Sequence, residues 1–494
     1  MSAFPDYDLY DAVGLAGLVQ NKEVSARELL DEALTRCDRV NGELNCVIFR
    51  CEAEAQREAL AVDISKPLAG VPFLVKDLGP ALAGAPLTAG SKLFSKFIPV
   101  ADGEIVRRFK AAGLIPFGKT NVPEFGLVPV TEPALHGICR NPWDTRLTPG
   151  GSSGGAASAV ASGIVPLAHA SDGGGSIRIP ASCCGLIGLK PTRGLTPRDP
   201  VETTITDDFS IDNVVSRTVR DSAAALDAVS NGGHGRFLNE LERPQQSLRI
   251  AVVRSAMLGS SVAPEVKLAL DKTVNLLQDL GHRIHEVEPR IDYDEAATAF
   301  LTYWAAGAHQ TLEGAEGIVG RKAARHDVEL ATWTLGVVGS VISHEDLAKA
   351  RTAIWRTTKA FTDFLNIYDI VLSPALASLP LPIGKNKTTA TEAAAMRLSG
   401  ALKYPWLLKG LLKLIAARSF AFAAFTAPFN MTGQPAISVP LQWTEGGLPV
   451  GMQFAARAGS DGVLLRLARQ LEIAQPWAGR HPKVWSGNSL FQAA

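Results

Sequence analysis

Apolar residues recur at spacings of three and four across residues 8–40, a period that predicts helix, with Ser25-Ala-Arg-Glu28 as a capping box partway along. Residues 68–75 form an unbroken apolar run instead. This reads as a buried strand that delivers Lys76 and Asp77 at its end. Residues 104–112 predict a helix stopped by Gly113, residues 114–118 a strand, and residues 218–230 a helix closed by Asn231 and two glycines. The alternation then repeats, with strands at 248–253, 283–287 and 368–372, a helix at 263–280 and an Ala-rich, mainly helical stretch at 290–365. Two late strands (434–441 and 448–454) and a last helix (463–473) complete the pattern. Such alternation predicts an α/β fold. A single domain, 1–494, would carry a large, mixed, mostly parallel central sheet with helices on both faces. A smaller or inserted α/β unit is expected at 247–375 and a variable lid at 378–417.

One segment departs from this rhythm. Residues 150–180 read GGSSGGAASAVASGIVPLAHASDGGGSIRIP, two serine-bearing glycine clusters around Ser152/Ser153 and Ser176. Glycines packed this densely imply positive φ or close approach of the backbone to something else. The run Gly173-Gly174-Gly175 also offers several N–H groups with no side chains in the way, a nest for an anion or oxyanion. A flexible linker has the same composition. The apolar, helix-forming run at 156–164 argues against that reading.

Composition narrows the classes. Of 494 residues 46% are hydrophobic and 20% charged, which describes a chain with a large core. Forty-nine basic residues balance 49 acidic ones, and no basic run of five occurs, so no nucleic-acid partner is expected. Six cysteines without a CxxC pair or metal-ligand spacing read as reduced thiols of a cytoplasmic protein, and neither metal nor cofactor is expected. The acidic start lacks the pattern of a signal peptide, and no apolar run reaches membrane-spanning length, so no integral membrane association is expected. In residues 402–415 leucines and Trp406 alternate with Lys403, Lys409 and Lys413. This reads as a lid over a substrate entrance, with a membrane-surface contact as the alternative.

Two motif matches lack the context their chemistry needs. Gly113-Leu-Ile-Pro-Phe-Gly118-Lys119-Thr120 fits the P-loop pattern, yet its middle is apolar strand and no helix follows. Gly151-Ser-Ser153-Gly-Gly155 fits the nucleophile elbow of α/β-hydrolases, which needs a late histidine such as His481. His136 and His169 lie near the glycine clusters and read as packed core histidines, with a place lining the site as the alternative.

Taken together, Lys76, the 150–155 cluster and Asp172-Gly-Gly-Gly-Ser176-Ile-Arg178 resemble the amidase signature family. Further landmarks follow in the family's order: Gly70-Val-Pro-Phe-Leu-Val-Lys76-Asp77, Gly118-Lys-Thr-Asn-Val-Pro-Glu-Phe125, Arg140-Asn-Pro-Trp143, Cys184-Gly-Leu-Ile-Gly-Leu-Lys-Pro-Thr-Arg193 and Pro428-Phe-Asn-Met-Thr-Gly-Gln. The resemblance covers most of residues 8–475, with a core signature region at 65–200. Ser171, Gly173 and the doubled Cys183-Cys184 depart from the usual pattern.

The resemblance implies a Ser–Ser–Lys triad with Ser176 as nucleophile, Ser152 as bridging serine after a cis peptide, and Lys76 as base. It further implies an oxyanion hole from the N–H groups of Gly173, Gly174, Gly175 and Ser176, with Ser153, Asp172 and Arg178 in support. The implied reaction is hydrolysis of a small-molecule amide through an acyl-enzyme, on an aryl-acylamide, oligoamide, carbamate or ester, and a homodimer is compatible with it. Alternatives are the A subunit of a tRNA-dependent amidotransferase or a GxSxG esterase. The pocket is expected from residues 128–135, 300–309, 332–342 and 403–417.

Overall fold

Ser25 starts the first long helix as its sequence requires. Its hydroxyl accepts the Glu28 N–H at 3.2 Å, and the Glu28 carboxylate accepts the Ser25 N–H at 2.8 Å. The helical pattern of residues 8–40 is therefore two helices, Ala12–Gln20 and Ala26–Leu44, with a break where the cap forms. The computed structural model describes residues 4–198, 204–231, 235–256, 260–389, 391–394, 396, 408, 410 and 420–487. Among these, no helix is long and apolar enough to cross a membrane.

Eleven strands are described: β1 (Val47–Arg50), β2 (Pro72–Lys76), β3 (Ile115–Thr120), β4 (Leu167–Asp172), β5 (Ile187–Lys190), β6 (Ile211–Ser216), β7 (Arg249–Val252), β8 (Arg283–His285), β9 (Ile370–Pro374), β10 (Ala436–Trp443) and β11 (Pro449–Ala456). Eight form one sheet in the order β4-β6-β5-β10-β11-β9-β7-β8. The other three form a small sheet, β1-β3-β2. The α/β class, the large mixed sheet and the helices on its faces are as expected. Its parallel character is not. From β4 to β9 every pairing is antiparallel, and only β9-β7 and β7-β8 are parallel. For β10 and β11 the cause is local, since a tight turn joins them and can link only antiparallel neighbours. Strands β7, β8 and β9, from the stretch expected as a second unit, extend this same sheet.

Helices Val219–Val229, Pro264–Asp279 and Asp461–Ala474 bury their apolar sides against one face of the sheet. Gly154–Ala161 and Arg178–Cys184 pack against Ala168, Ala170 and Val215 on the other face. In β4 the residues alternate, so Ala168 and Ala170 go to that core while His169 and Ser171 go to the opposite side. Strand β2 lies there, and the N–H of Lys76 donates to the His169 ring nitrogen Nδ1 at 3.3 Å. Helices Tyr293–Val319, Leu330–Gly339 and His344–Ile367 make a further layer around Phe209, Phe300 and Tyr303. Apart from Leu408, which is buried in that layer, and exposed Gly410, the expected lid at 402–415 lies outside the described residues.

Candidate active site

Strand β2 is buried along its whole length, so it carries the Lys76 ammonium group into the protein with no access to water. Nζ lies 2.8 Å from Ser152 Oγ, 2.9 Å from Ser171 Oγ and 3.3 Å from the Ser171 carbonyl oxygen. Burial pushes the Lys76 pKa down from 10.5 to about 7, against the upward pull of the Asp212 and Asp172 carboxylates. The amine is thus substantially free at neutral pH. A neutral amine has a lone pair to offer, so one of the two hydroxyls facing it must then donate. That is the direction the proton relay expected of Ser152 would require.

Ser152 follows a cis peptide bond from Gly151. The backbone of Phe125-Gly126 runs directly beside it, and a Cβ on Gly126 would sit 3.1 Å from Ser152 Oγ. The first glycine cluster meets its expectation mainly through close approach. Only Gly150 takes positive φ, whereas a Cβ on Gly151 would meet Val130 N at 2.7 Å and one on Gly155 would meet Asn121 N at 2.3 Å.

Ser176 ends the second cluster, where Gly175 takes φ 129° and a Cβ would strike Thr426 Oγ1 at 2.2 Å. The loop is held from below by the Asp172 carboxylate, which accepts the N–H groups of Gly175 at 2.6 Å and Ile177 at 3.3 Å. Arg178 forks onto both oxygens of Asp172 at 2.9 Å and also reaches Gln453, Asn430 and the Thr426 carbonyl. Burial alone would raise the Asp172 carboxyl, but the Arg178 charge and the hydrogen bonds hold it down at about 2. Of the four amides expected to hold an oxyanion, that of Gly175 is therefore committed to Asp172. Those of Gly173, Gly174 and Ser176 have no acceptor among the described residues. Arg178→Leu should cost about 3–5 kcal/mol of stability in denaturant unfolding, since it leaves a buried carboxylate unpaired. The stabilisation from this pair is full above the ordinary carboxyl pKa and is lost as pH falls through about 2.

The other expected positions divide clearly. Ser153 Oγ donates to the Ser171 carbonyl at 3.2 Å and accepts the Ser171 N–H at 3.3 Å, stitching its loop to β4. His481 packs at a tilt against Trp485 with ring centroids 4.0 Å apart. Trp485 covers Gly163, beyond the far end of the helix Gly154–Ala161 from Ser153. That helix is about 12 Å long, so Ser153 and His481 form no dyad. Lys119 of the P-loop match is fully buried in β3, and no α-helix follows before Gly154. His169 is packed, as expected, yet it touches the site. Its Nδ1 accepts from Lys76, which leaves the proton on Nε2, 3.2 Å from Asp212 Oδ1. His136 pairs with Thr88 at 2.9 Å.

Sequence reasoning missed the roles of Ser171, Asp212, Asn430 and Gln453. Ser171 stands two residues after His169 on the same side of β4, and that alternation was its only signal.

Two clefts meet at Ser176. One, about 1070 Å³ with open solvent included, reaches Ser152, Ser171 and Gly173 and is walled by Leu78, Leu87, Phe94, Phe97 and Phe125. The other, about 2070 Å³ on the same basis, passes Gly174 and is walled by residues of 128–134 with Phe300, Leu301 and Leu335. Phe300 and Trp304, stacked 5.0 Å apart, lie over Gly174 and Gly173 between the two. Of the expected lining, 403–417 falls outside the described residues except for Leu408 and Gly410, and the wall from Leu78 to Phe125 was not foreseen.

The family model described as Amidase matches residues 28–465. The 6-aminohexanoate-cyclic-dimer hydrolase of Pseudomonas sp. strain NK87 is 33% identical over 515 aligned positions, covering 98% of each chain. A lipoamidase of Enterococcus faecalis is 34% identical over 94% of this chain and 63% of its own. Among solved structures, a 6-aminohexanoate cyclic dimer hydrolase complexed with substrate superposes with a TM-score of 0.85 at 31% identity, covering 97% of this chain and 99% of that one.

Proposed function

The chain belongs to the amidase family and hydrolyses carbon–nitrogen bonds other than peptide bonds, and on that footing we propose that it cleaves aryl-acylamide or oligoamide substrates through a Ser176 acyl-enzyme. Ser176 Oγ attacks the carbonyl carbon while its proton passes through Ser152 to the free amine of Lys76. The amides of Gly173, Gly174 and Ser176 receive the charge that develops on the carbonyl oxygen. The tetrahedral intermediate collapses, and the proton returns through Ser152 to the departing nitrogen. A water molecule then repeats the sequence on the ester and frees the acid.

The observation that carries this reading is the 2.8 Å contact between Lys76 Nζ and Ser152 Oγ, fully buried at the base of the cleft onto which Ser176 also opens. The cleft walls are mainly aromatic and aliphatic, which favours a bulky, uncharged substrate, and of the charged side chains that also line them Arg198 and Asp207 pair with each other. Relatives named for a cyclic amide dimer and for a lipoamide show how far acyl and amine parts vary around similar chains.

A panel of an aryl acetamide, an aryl carbamate, a fatty-acid amide and the cyclic dimer of 6-aminohexanoate tests the proposal by amine release. Turnover of the aryl acetamide or the cyclic dimer, ahead of the fatty amide, is the expected outcome. Preference for the fatty amide by tenfold or more would overturn the substrate class.

A further inference from the structure

Resting on Lys76 as the base, we infer that Arg198 is a positioning residue for it: by pairing with Asp212, it keeps a buried carboxylate from drawing a proton onto Lys76. Asp212 of β6 pairs directly with Ser171 of β4, so its side chain emerges on the same side as His169 and Ser171, which is the side that holds Lys76. Asp212 is 2% exposed. Its Oδ1 accepts from His169 Nε2 at 3.2 Å and its Oδ2 accepts from Arg198 Nη1 at 3.2 Å.

The formal charges around Lys76 come from several elements. Strand β6 brings Asp212 and strand β4 brings Asp172, both of which favour the protonated amine. The segment after β5 brings Arg198, which opposes it. His169 is neutral in this arrangement, because burial disfavours its charged form and its Nδ1 is an acceptor. Lys119 of β3 is also buried, and it acts on His169. Asp207 binds the other terminal nitrogen of Arg198 and faces the cleft.

Asp172 is already matched by Arg178, so its claim on Lys76 is weakened. Among the described residues the ion-pair partner of Asp212 is Arg198, which it shares with Asp207. Without Arg198, the cation left to balance Asp212 is Lys76 itself, and a protonated Lys76 accepts nothing from Ser152. An unmatched carboxylate within a few ångströms moves a buried group by one unit or more. One unit is tenfold in the fraction of free amine below the pKa.

The test is the pH profile of kcat/KM for the wild type and three variants on one amide substrate. In Arg198→Gln the acidic limb should move up by about one unit, giving about tenfold lower kcat/KM below neutrality and a deficit that shrinks as pH rises. Arg198→Lys restores the charge and should bring the limb back. Asp212→Asn should move it the opposite way, to lower pH. A uniform, pH-independent loss in Arg198→Gln, with the limb unmoved, would overturn the inference and leave Lys76 as the base. A wild-type profile without an acidic limb between pH 5 and 9 would remove the base and the inference together. Because Arg198 is partly exposed, its two variants carry the test even if Asp212→Asn fails to fold.

Discussion

Ser176→Ala is expected to lower kcat/KM by on the order of 10⁵-fold or more, with binding and stability little changed. The reason is geometric. Ser176 is the hydroxyl that follows Gly173 and Gly174, whose amides have no acceptor among the described residues, and it opens on both clefts at their meeting point. Ser152 faces Lys76, Ser153 is spent on the backbone of β4, and Ser171 lies beside Lys76 Nζ, so none of them replaces it. Ser153→Ala should therefore be mild by comparison, and His481→Ala should be close to wild type. An active Ser176→Ala enzyme beside an inactive Ser153→Ala or His481→Ala enzyme would restore the GxSxG reading. Steady-state rates on one substrate, with unfolding curves to show that each variant folds, decide the matter.

Lys76→Met should be nearly as damaging, by on the order of 10⁴-fold, because the proton acceptor is lost while the nest and both clefts remain. Its stability should not suffer. In the wild type the folded state holds Lys76 at about 7 while the unfolded chain holds it near 10.5. Between those values the unfolded state binds more protons, so this group opposes folding at neutral pH and opposes it less as pH rises. Methionine removes that opposition. For the same reason the wild-type kcat/KM should climb as pH rises through about 7 and level off above it, since only the free amine accepts the proton.

Much of the site was legible because it is written in local runs. The Lys76 strand, the two glycine clusters and the Asp172–Arg178 segment each occupy a few consecutive residues, and their order resembles a family. What the sequence concealed depends on pairing across long separations. Strands β4 and β6 were missed because His169, Ser171, Asp172 and Asp212, whose side chains serve the site, interrupt the apolar pattern, as does Asn213, which donates to the Leu189 carbonyl. The antiparallel order of β4, β6 and β5 follows from partners that no local period reveals. Asn430 and Gln453 reach Arg178 from more than 250 positions away, and nothing in their own neighbourhood announces it. The committed amide of Gly175 was equally hidden, since it depends on where the Asp172 side chain turns.

On this proposal Ser176 Oγ is the atom that bonds to substrate, with Lys76 and Ser152 behind it. The most direct test is to label the wild-type enzyme with a fluorophosphonate at neutral pH and map the modified peptide by mass spectrometry. A single adduct on Ser176, formed faster as pH rises through about 7 and lost in Lys76→Met, is the result predicted here. An adduct on Ser153 with Ser176 unmodified, or labelling at the same rate in Lys76→Met, would contradict it.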